Sequence, residues 1–149
     1  MARNLEEAPI GVLLNQTNRI AERAFDRALQ GSGGSRSWWV ILRTLRHGQA
    51  ETQSALADAV GLRGATLIHH LDALEKAGLV TRTRNRENRR LQAVSITREG
   101  RALFDQLLTR VIAYDEQLRA GLKPGEEAVL RKALSRMAGN FDPPASDRE

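Results

Sequence analysis

The chain has no cysteine. That excludes a disulfide framework, thiolate zinc sites and thiol-based redox sensing. Histidine is scarce, at three, and Tyr114 is the single tyrosine. No Ser, His and Asp stand in a recognisable catalytic motif, so no catalytic residue is assigned and an enzyme is not expected. The acidic pairs Asp115-Glu116 and Glu126-Glu127 fall in helical stretches, where solvated faces account for them. His69 and His70 are neighbours and diverge on a helix. With no thiolate to complete a set, they do not make a zinc site, and neither metal nor cofactor is expected. No apolar run approaches the roughly 18 residues of a membrane span. The first residues also lack a signal-peptide pattern, so the expectation is a soluble, cytoplasmic protein with no membrane partner.

What the sequence does contain is a segregated charge. The 149 residues are 41% hydrophobic, enough for one domain with a core, and carry a net +5. Between Arg36 and Arg98 there are ten Arg and one Lys against five acidic residues, a local +6, which leaves −1 for the rest. The whole excess therefore lies on one segment, where phosphate neutralisation would use it.

That segment has a readable order. Thr52 is an N-cap candidate, and Leu56 and Val60 give Gln53 to Val60 an apolar stripe that stops at Gly61. From Gly64 to Ala77, Leu67, Leu71 and Leu74 recur at helical spacing, with Gly78 as a C-terminal stop. Two helices with a short turn between them have the spacing of a helix-turn-helix. From Leu79 to Thr97 the period changes: Thr81 and Thr83 alternate with Arg82 and Arg84, Asn85 to Asn88 reads as a turn, and Val94 and Ile96 alternate with Ala93 and Ser95. Arginine occupies Arg82, Arg84, Arg86, Arg89 and Arg90 of this hairpin. A solvated edge that discourages aggregation would explain some of them. The adjoining helix-turn-helix supplies an independent reason for positive charge.

The flanks are helical. Pro9 suits a first helical position, and Leu13, Leu14, Ile20, Ala24, Phe25, Ala28 and Leu29 follow mainly at three- and four-residue spacings. Gly31 to Ser35 reads as a connector, since it follows a helix and lacks the Gly-Lys-Ser/Thr ending of a phosphate loop. Arg36 to Arg46 makes a scaffold helix with Trp39, Leu42 and Leu45 on one side. Trp38 and Trp39 stand about 100° apart on it, so they cannot point the same way. Thr97 should cap a long helix whose stripe runs through Leu103, Phe104, Leu107, Leu108, Val111, Ile112 and Leu118. A last helix opens at Pro124, with Val129, Leu130, Ala133, Leu134 and Met137 as its apolar side. The tail from Asp142 reads as disordered and Ala2 to Ala8 as frayed. Apolar faces on the first helix and the last two have their simplest use in packing between molecules, against the alternative of a three-helix bundle within one chain.

The run Gln53-Ser54-x-Leu56-Ala57 with Gly61-Leu62, then Thr66, Leu71-Asp72-x-Leu74-Glu75-x-x-Gly78-Leu79-Val80, then Arg89-Arg90 and Val94-x-Ile96-Thr97-x-x-Gly100, resembles the MarR family of winged helix-turn-helix regulators. The match is specific over Glu51 to Gly100; outside it only helix placement agrees. The resemblance implies a mainly α fold with a small β-hairpin wing, one MarR-like domain over 1–149. Its winged helix-turn-helix part, 35–97, is flanked by dimerisation helices at 9–30 and 98–140. It also implies a homodimer on a palindromic operator, released by a small molecule. One departure is Asn88, where the family commonly has Asp, so a charge pair that usually steadies the wing is absent or replaced.

With Leu67 as buried centre, Ala65, Thr66, His69, Ala73 and Lys76 rotate to the far face of the second helix, and His70 falls near the core boundary. The DNA-contacting candidates are then Arg63, Thr66 and His69 on the helix, with Arg84, Arg86, Arg89 and Arg90 on the wing. The resemblance places an effector pocket where dimerisation helices meet the winged part. The candidates there are Asn15, Arg19, Trp38 and Trp39, where Trp can stack an aromatic or phenolic ring and Arg19 can pair with a carboxylate. The expected function is transcription regulation, as a ligand-responsive repressor with double-stranded DNA as partner. The alternatives are a constitutive DNA-binding protein without effector, or a protein-interaction module that uses the basic wing.

Overall fold

Six helices and one hairpin follow each other in the computed structural model, which describes residues 7–84 and 92–141. The elements are α1 (Ile10–Leu29), α2 (Arg36–Arg46), α3 (Gln53–Val60), α4 (Gly64–Lys76), β1 (Val80–Arg84), β2 (Gln92–Ile96), α5 (Arg98–Arg119) and α6 (Glu126–Gly139). Among the described residues no helix is long and apolar enough to cross a membrane. The chain divides into two compact units, Met1–Tyr114 and Asp115–Glu149, with the boundary inside α5.

Local signals set the boundaries in the first unit. Pro9 serves as N-cap rather than first helical residue: its carbonyl accepts the N–H groups of Val12 and Leu13, and α1 begins at Ile10. Ser35 and Thr52 cap α2 and α3 by accepting the N–H groups of Trp38 and Ala55. Gly61 ends α3 in the left-handed region at φ 66°, where a side chain would be strained. Thr97 does two jobs. Its hydroxyl donates to the Gly78 carbonyl at 2.7 Å and accepts the Gly100 N–H at 3.0 Å, so one residue closes the end of α4 and starts α5.

The hairpin pairs Val80 with Ile96, Arg82 with Val94 and Arg84 with Gln92 in antiparallel register. Period two then turns Val80, Val94 and Ile96 inward together. They close a core built on Ile41, Leu42 and Leu45 of α2, Leu56 of α3 and Leu67, Leu71 and Leu74 of α4. Trp39 lies flat on Phe104, with ring centroids 5.0 Å apart and planes within 5°, so α5 is anchored to α2. Leu107 is fully buried in the same core, and a Cβ on Gly34 would stand 2.7 Å from its Cδ2. The long stripe of α5 is therefore not one intermolecular face. Phe104 and Leu107 complete the chain's own core, and Ile112 remains half exposed. Elsewhere in this unit Arg36 ties α2 to α1 through Glu22 at 2.7 Å and Asp26 at 2.8 Å. Tyr114 donates to the Ala21 carbonyl and meets Phe25 edge to face.

In the second unit α6 opens at Glu126, two residues later than Pro124 suggests, because Gly125 takes φ 88° first. Glu126 accepts the Lys123 N–H at 2.7 Å, a side chain closing the turn that leads into its own helix. Arg119 bridges Asp115 and Glu127, and Glu127 also holds Arg131. The hydrogen bond from Arg131, with a smaller contribution from Arg119, keeps the Glu127 carboxyl below its ordinary value.

Candidate nucleic-acid interface

The start of α4 is shaped by Arg63, which takes the N-cap position with extended backbone. Its carbonyl accepts the N–H groups of Thr66 and Leu67 at 3.0 and 3.1 Å, while its side chain makes no cap bond and stays exposed. A guanidinium with no ion-pair partner among the described residues thus stands at the positive end of the helix. Leu67, Leu71 and Leu74 fix the inward face at 1% exposure or less, so rotation decides the rest. Thr66, His69 and Lys76 are exposed, and Ala73 and His70 are half-buried. The outward stripe is short, polar and terminated by a cation, which suits entry into a major groove.

Sequence reasoning passed over Ile68. It is 42% exposed, one position off the Leu67-Leu71-Leu74 stripe, and presents an apolar surface of the sort that meets a thymine methyl. Its signal was an isoleucine that the helical period does not need. The starts of α3 and α4 also flank a concavity of about 290 Å³ lined by Thr52, Gln53, Ser54, Gly64 and Gln92.

On the hairpin, Arg84 is exposed at the end of β1 and lacks an ion-pair partner among the described residues. Arg86, Arg89 and Arg90, with Asn88, lie outside the described residues. Arg82 is different from Arg84. Its Nη2 lies 2.6 Å from Glu75 Oε2 and 2.5 Å from Asp72 Oδ1, and its Nε 3.1 Å from Glu75 Oε2. The hydrogen bond to Glu75 raises the Arg82 pKa and, reciprocally, holds the Glu75 carboxyl below its ordinary value of 4.5. Arg82 is not among the DNA-contacting candidates, and its bonds to Glu75 and Asp72 agree with leaving it out. Composition registers charges and not their partners.

The four effector candidates are distributed differently. Asn15 and Arg19 are exposed one turn apart on α1, and Trp38 is half-buried at the start of α2. Trp39 has one face covered by Phe104 and is 8% exposed, a core position. A cleft of about 330 Å³ opens elsewhere, between Leu45, Gly48, Ala50 and Glu51, strand β2 and Arg101. None of the four candidates lines it.

Residues 35–91 match the sequence model of the MarR family. The chain carries a MarR-family domain. That match spans α2 to the hairpin and so takes in Arg63, Thr66, His69 and every wing arginine named above. A curated relative, the uncharacterised HTH-type transcriptional regulator YdgJ of Bacillus subtilis (strain 168), is 28% identical over 137 residues, 92% of this chain and 82% of its own length. Among solved structures, a MarR-family transcriptional regulator from Rhodococcus sp. RHA1 is 28% identical with a TM-score of 0.74, covering 93% of this chain and 96% of that one. Bordetella bronchiseptica BpsR, whose DNA binding is regulated by 6-hydroxynicotinic acid, has a TM-score of 0.78 at 22% identity. There the alignment covers 87% of this chain and 98% of BpsR, and the likeness is one of fold. Around the MarR-family domain the helical flanks agree with these structures as well, since the alignments extend well past residues 35–91. The protein is a DNA-binding transcriptional regulator, and its relatives are regulators rather than enzymes.

Proposed function

We propose that this regulator is a ligand-responsive repressor that binds a palindromic operator as a homodimer. Residues 35–97 are the DNA-reading part, and 9–30 and 98–140 the dimerisation helices. The observation that carries the reading is the outward stripe of α4: Thr66 and His69 are exposed between unpaired Arg63 and Lys76, with Arg84 of the hairpin also unpaired among the described residues. Thr66 and His69 face bases in this reading, while Arg63, Arg84, Arg86, Arg89 and Arg90 meet phosphates or the minor groove. Support for the dimer comes from large apolar side chains left exposed outside the DNA-reading part. Ile10, Val12 and Ile20 of α1 and Ile112 of α5 are 45–56% exposed, more than a solitary chain gains from. Selection of bound duplexes from a random pool tests the reading. Enrichment of a palindrome with half-sites about one helical turn apart is expected. Recovery of no preferred sequence would favour a protein-interaction module instead.

For the effector we propose an aromatic or phenolic acid near Asn15, Arg19, Trp38 and Trp39, a class that the regulation of BpsR by 6-hydroxynicotinic acid supports. Such a ligand must prefer a dimer with wrongly spaced recognition helices, since equal affinity for both states shifts nothing. Aromatic acids are expected to quench tryptophan fluorescence and lower operator affinity over one concentration range. Trp39→Phe should weaken both responses, acting through the core that carries Trp38. Quenching with operator affinity untouched, or neither response across a broad set of acids, would favour constitutive DNA binding.

A further inference from the structure

The arginine at the middle of β1 is turned toward α4. Arg82 has a side chain only 14% exposed, sits opposite Val94 in the strand register, and directs its guanidinium at Asp72 and Glu75 of α4. Its backbone N–H donates to Glu75 Oε1 at 3.1 Å, and its guanidinium spans Glu75 and Asp72. Asp72 and Glu75 are three residues apart, so a single fork grips one full turn of the helix. Asp72 in turn lies three residues beyond His69, on the adjoining turn of the same side, and its carboxylate is 58% exposed. Gly78, at φ 72°, makes the turn from α4 into β1, the Leu79 N–H closes it on the Leu74 carbonyl at 2.9 Å, and Arg82 adds a side-chain tie from the middle of the strand back to α4.

We propose that Arg82 is a positioning residue for DNA recognition: its grip on Asp72 and Glu75 locks the hairpin at a fixed setting against the base-reading helix. This rests on the reading in which α4 meets bases and the hairpin meets backbone. A helix entering a groove and a wing touching phosphates discriminate between sequences only if their spacing is held, because a loose wing keeps its phosphate contacts wherever the helix sits. Arg82 touches no DNA in this scheme.

The test uses the full chain, the duplex it enriches from a random pool, and a random-sequence duplex of equal length. Arg82→Gln removes one positive charge per protomer, whereas Asp72→Asn with Glu75→Gln removes two negative ones. Charge alone would move affinity in opposite directions. The clamp predicts the same direction for discrimination: both variants lose on the order of ten-fold in their preference for the enriched duplex, the worth of one charge-assisted bond. Arg82→Gln should keep the wild-type salt dependence on random DNA. A loss equal on both duplexes, with the slope of log K against log salt flattened by about 0.9 per protomer, would make Arg82 a phosphate ligand and overturn the proposal. Wild-type discrimination in the Asp72→Asn, Glu75→Gln double variant would overturn it too. That double variant leaves every buried apolar residue in place, so it decides alone should Arg82→Gln fail to melt cooperatively. A wild-type chain that enriches no sequence overturns the DNA-reading assignment and the clamp together, whereas phosphate-ligand behaviour on an enriched duplex overturns only the clamp.

Discussion

Replacing Gly100 with alanine sets two well-known effects against each other. Glycine within a helix costs up to about 1 kcal/mol relative to alanine, so helix propensity alone predicts stabilisation. At Gly100 the added Cβ would stand 2.1 Å from the Leu79 carbonyl oxygen and 2.9 Å from Ile96 Cγ1. The first neighbour is backbone. It already accepts the Thr97 N–H at 3.1 Å, so moving it disturbs the joint between α4, the hairpin and α5. Overpacking of this kind costs about 1 to 3 kcal/mol, and contact with a fixed carbonyl puts it at the upper end. The net is a loss of about 2 kcal/mol, which for a chain of this length lowers Tm by roughly 4 to 8 °C. Thermal melting followed by circular dichroism measures it, at one protein concentration for all variants because association shifts apparent stability. Gly11→Ala is the control: that helical glycine has nothing within 4 Å of its Cβ position, and the variant should melt slightly higher than wild type. A Gly100→Ala variant as stable as wild type would refute the close approach of α5 to Leu79.

Arg84→Ala should weaken binding to every duplex and flatten its salt dependence by about 0.9 per protomer, whereas Thr66→Ala should cost about 1 to 3 kcal/mol at one symmetric base position only. Fluorescence anisotropy on a panel of single-base variants separates the two, and equal losses on all sequences for both would remove α4 from base reading. Leu107→Ala empties a fully buried site and should cost about 2 to 5 kcal/mol in urea unfolding. Ile112→Glu, at a half-exposed position, should leave the fold and alter sedimentation; a monomeric wild type at micromolar concentration that still protects a palindrome would contradict that. Glu75 has a folded pKa below its unfolded one, so its contribution to stability is complete above about pH 4.5 and disappears as pH falls through the depressed value. The urea midpoints of wild type and Glu75→Gln should therefore converge below pH 4.5, and a constant gap down to pH 3 would exclude the ion pair as the cause.

Features governed by neighbours along the chain were legible before any coordinates. Thr52, Gly61, Gly78 and Thr97 mark helix ends because capping and left-handed conformations are local requirements, and all four do in the structure what their positions suggest. The inward Leu67-Leu71-Leu74 stripe follows from helical period alone. What was not legible depends on packing at a distance. Arg82 and Glu75 are seven residues apart across a turn, and only the turn's angle makes them partners. Leu107 and Ile112 belong to the same apolar stripe, yet Gly34 admits the first to the core, while the second stays half exposed among the described residues. For Trp38 and Trp39 the sequence required divergence without saying which turned inward, and Phe104 decides that.

The Thr97 hydroxyl has one proton, and it goes to Gly78; its lone pair takes the Gly100 N–H. Three elements therefore meet at a joint with no spare residue between them. Counted as a mechanism, α4, the hairpin and the first turn of α5 have far fewer independent degrees of freedom than three segments linked by loops. In the proposed dimer, a signal that respaces the two reading heads would carry α4, the hairpin and the first turn of α5 as one piece.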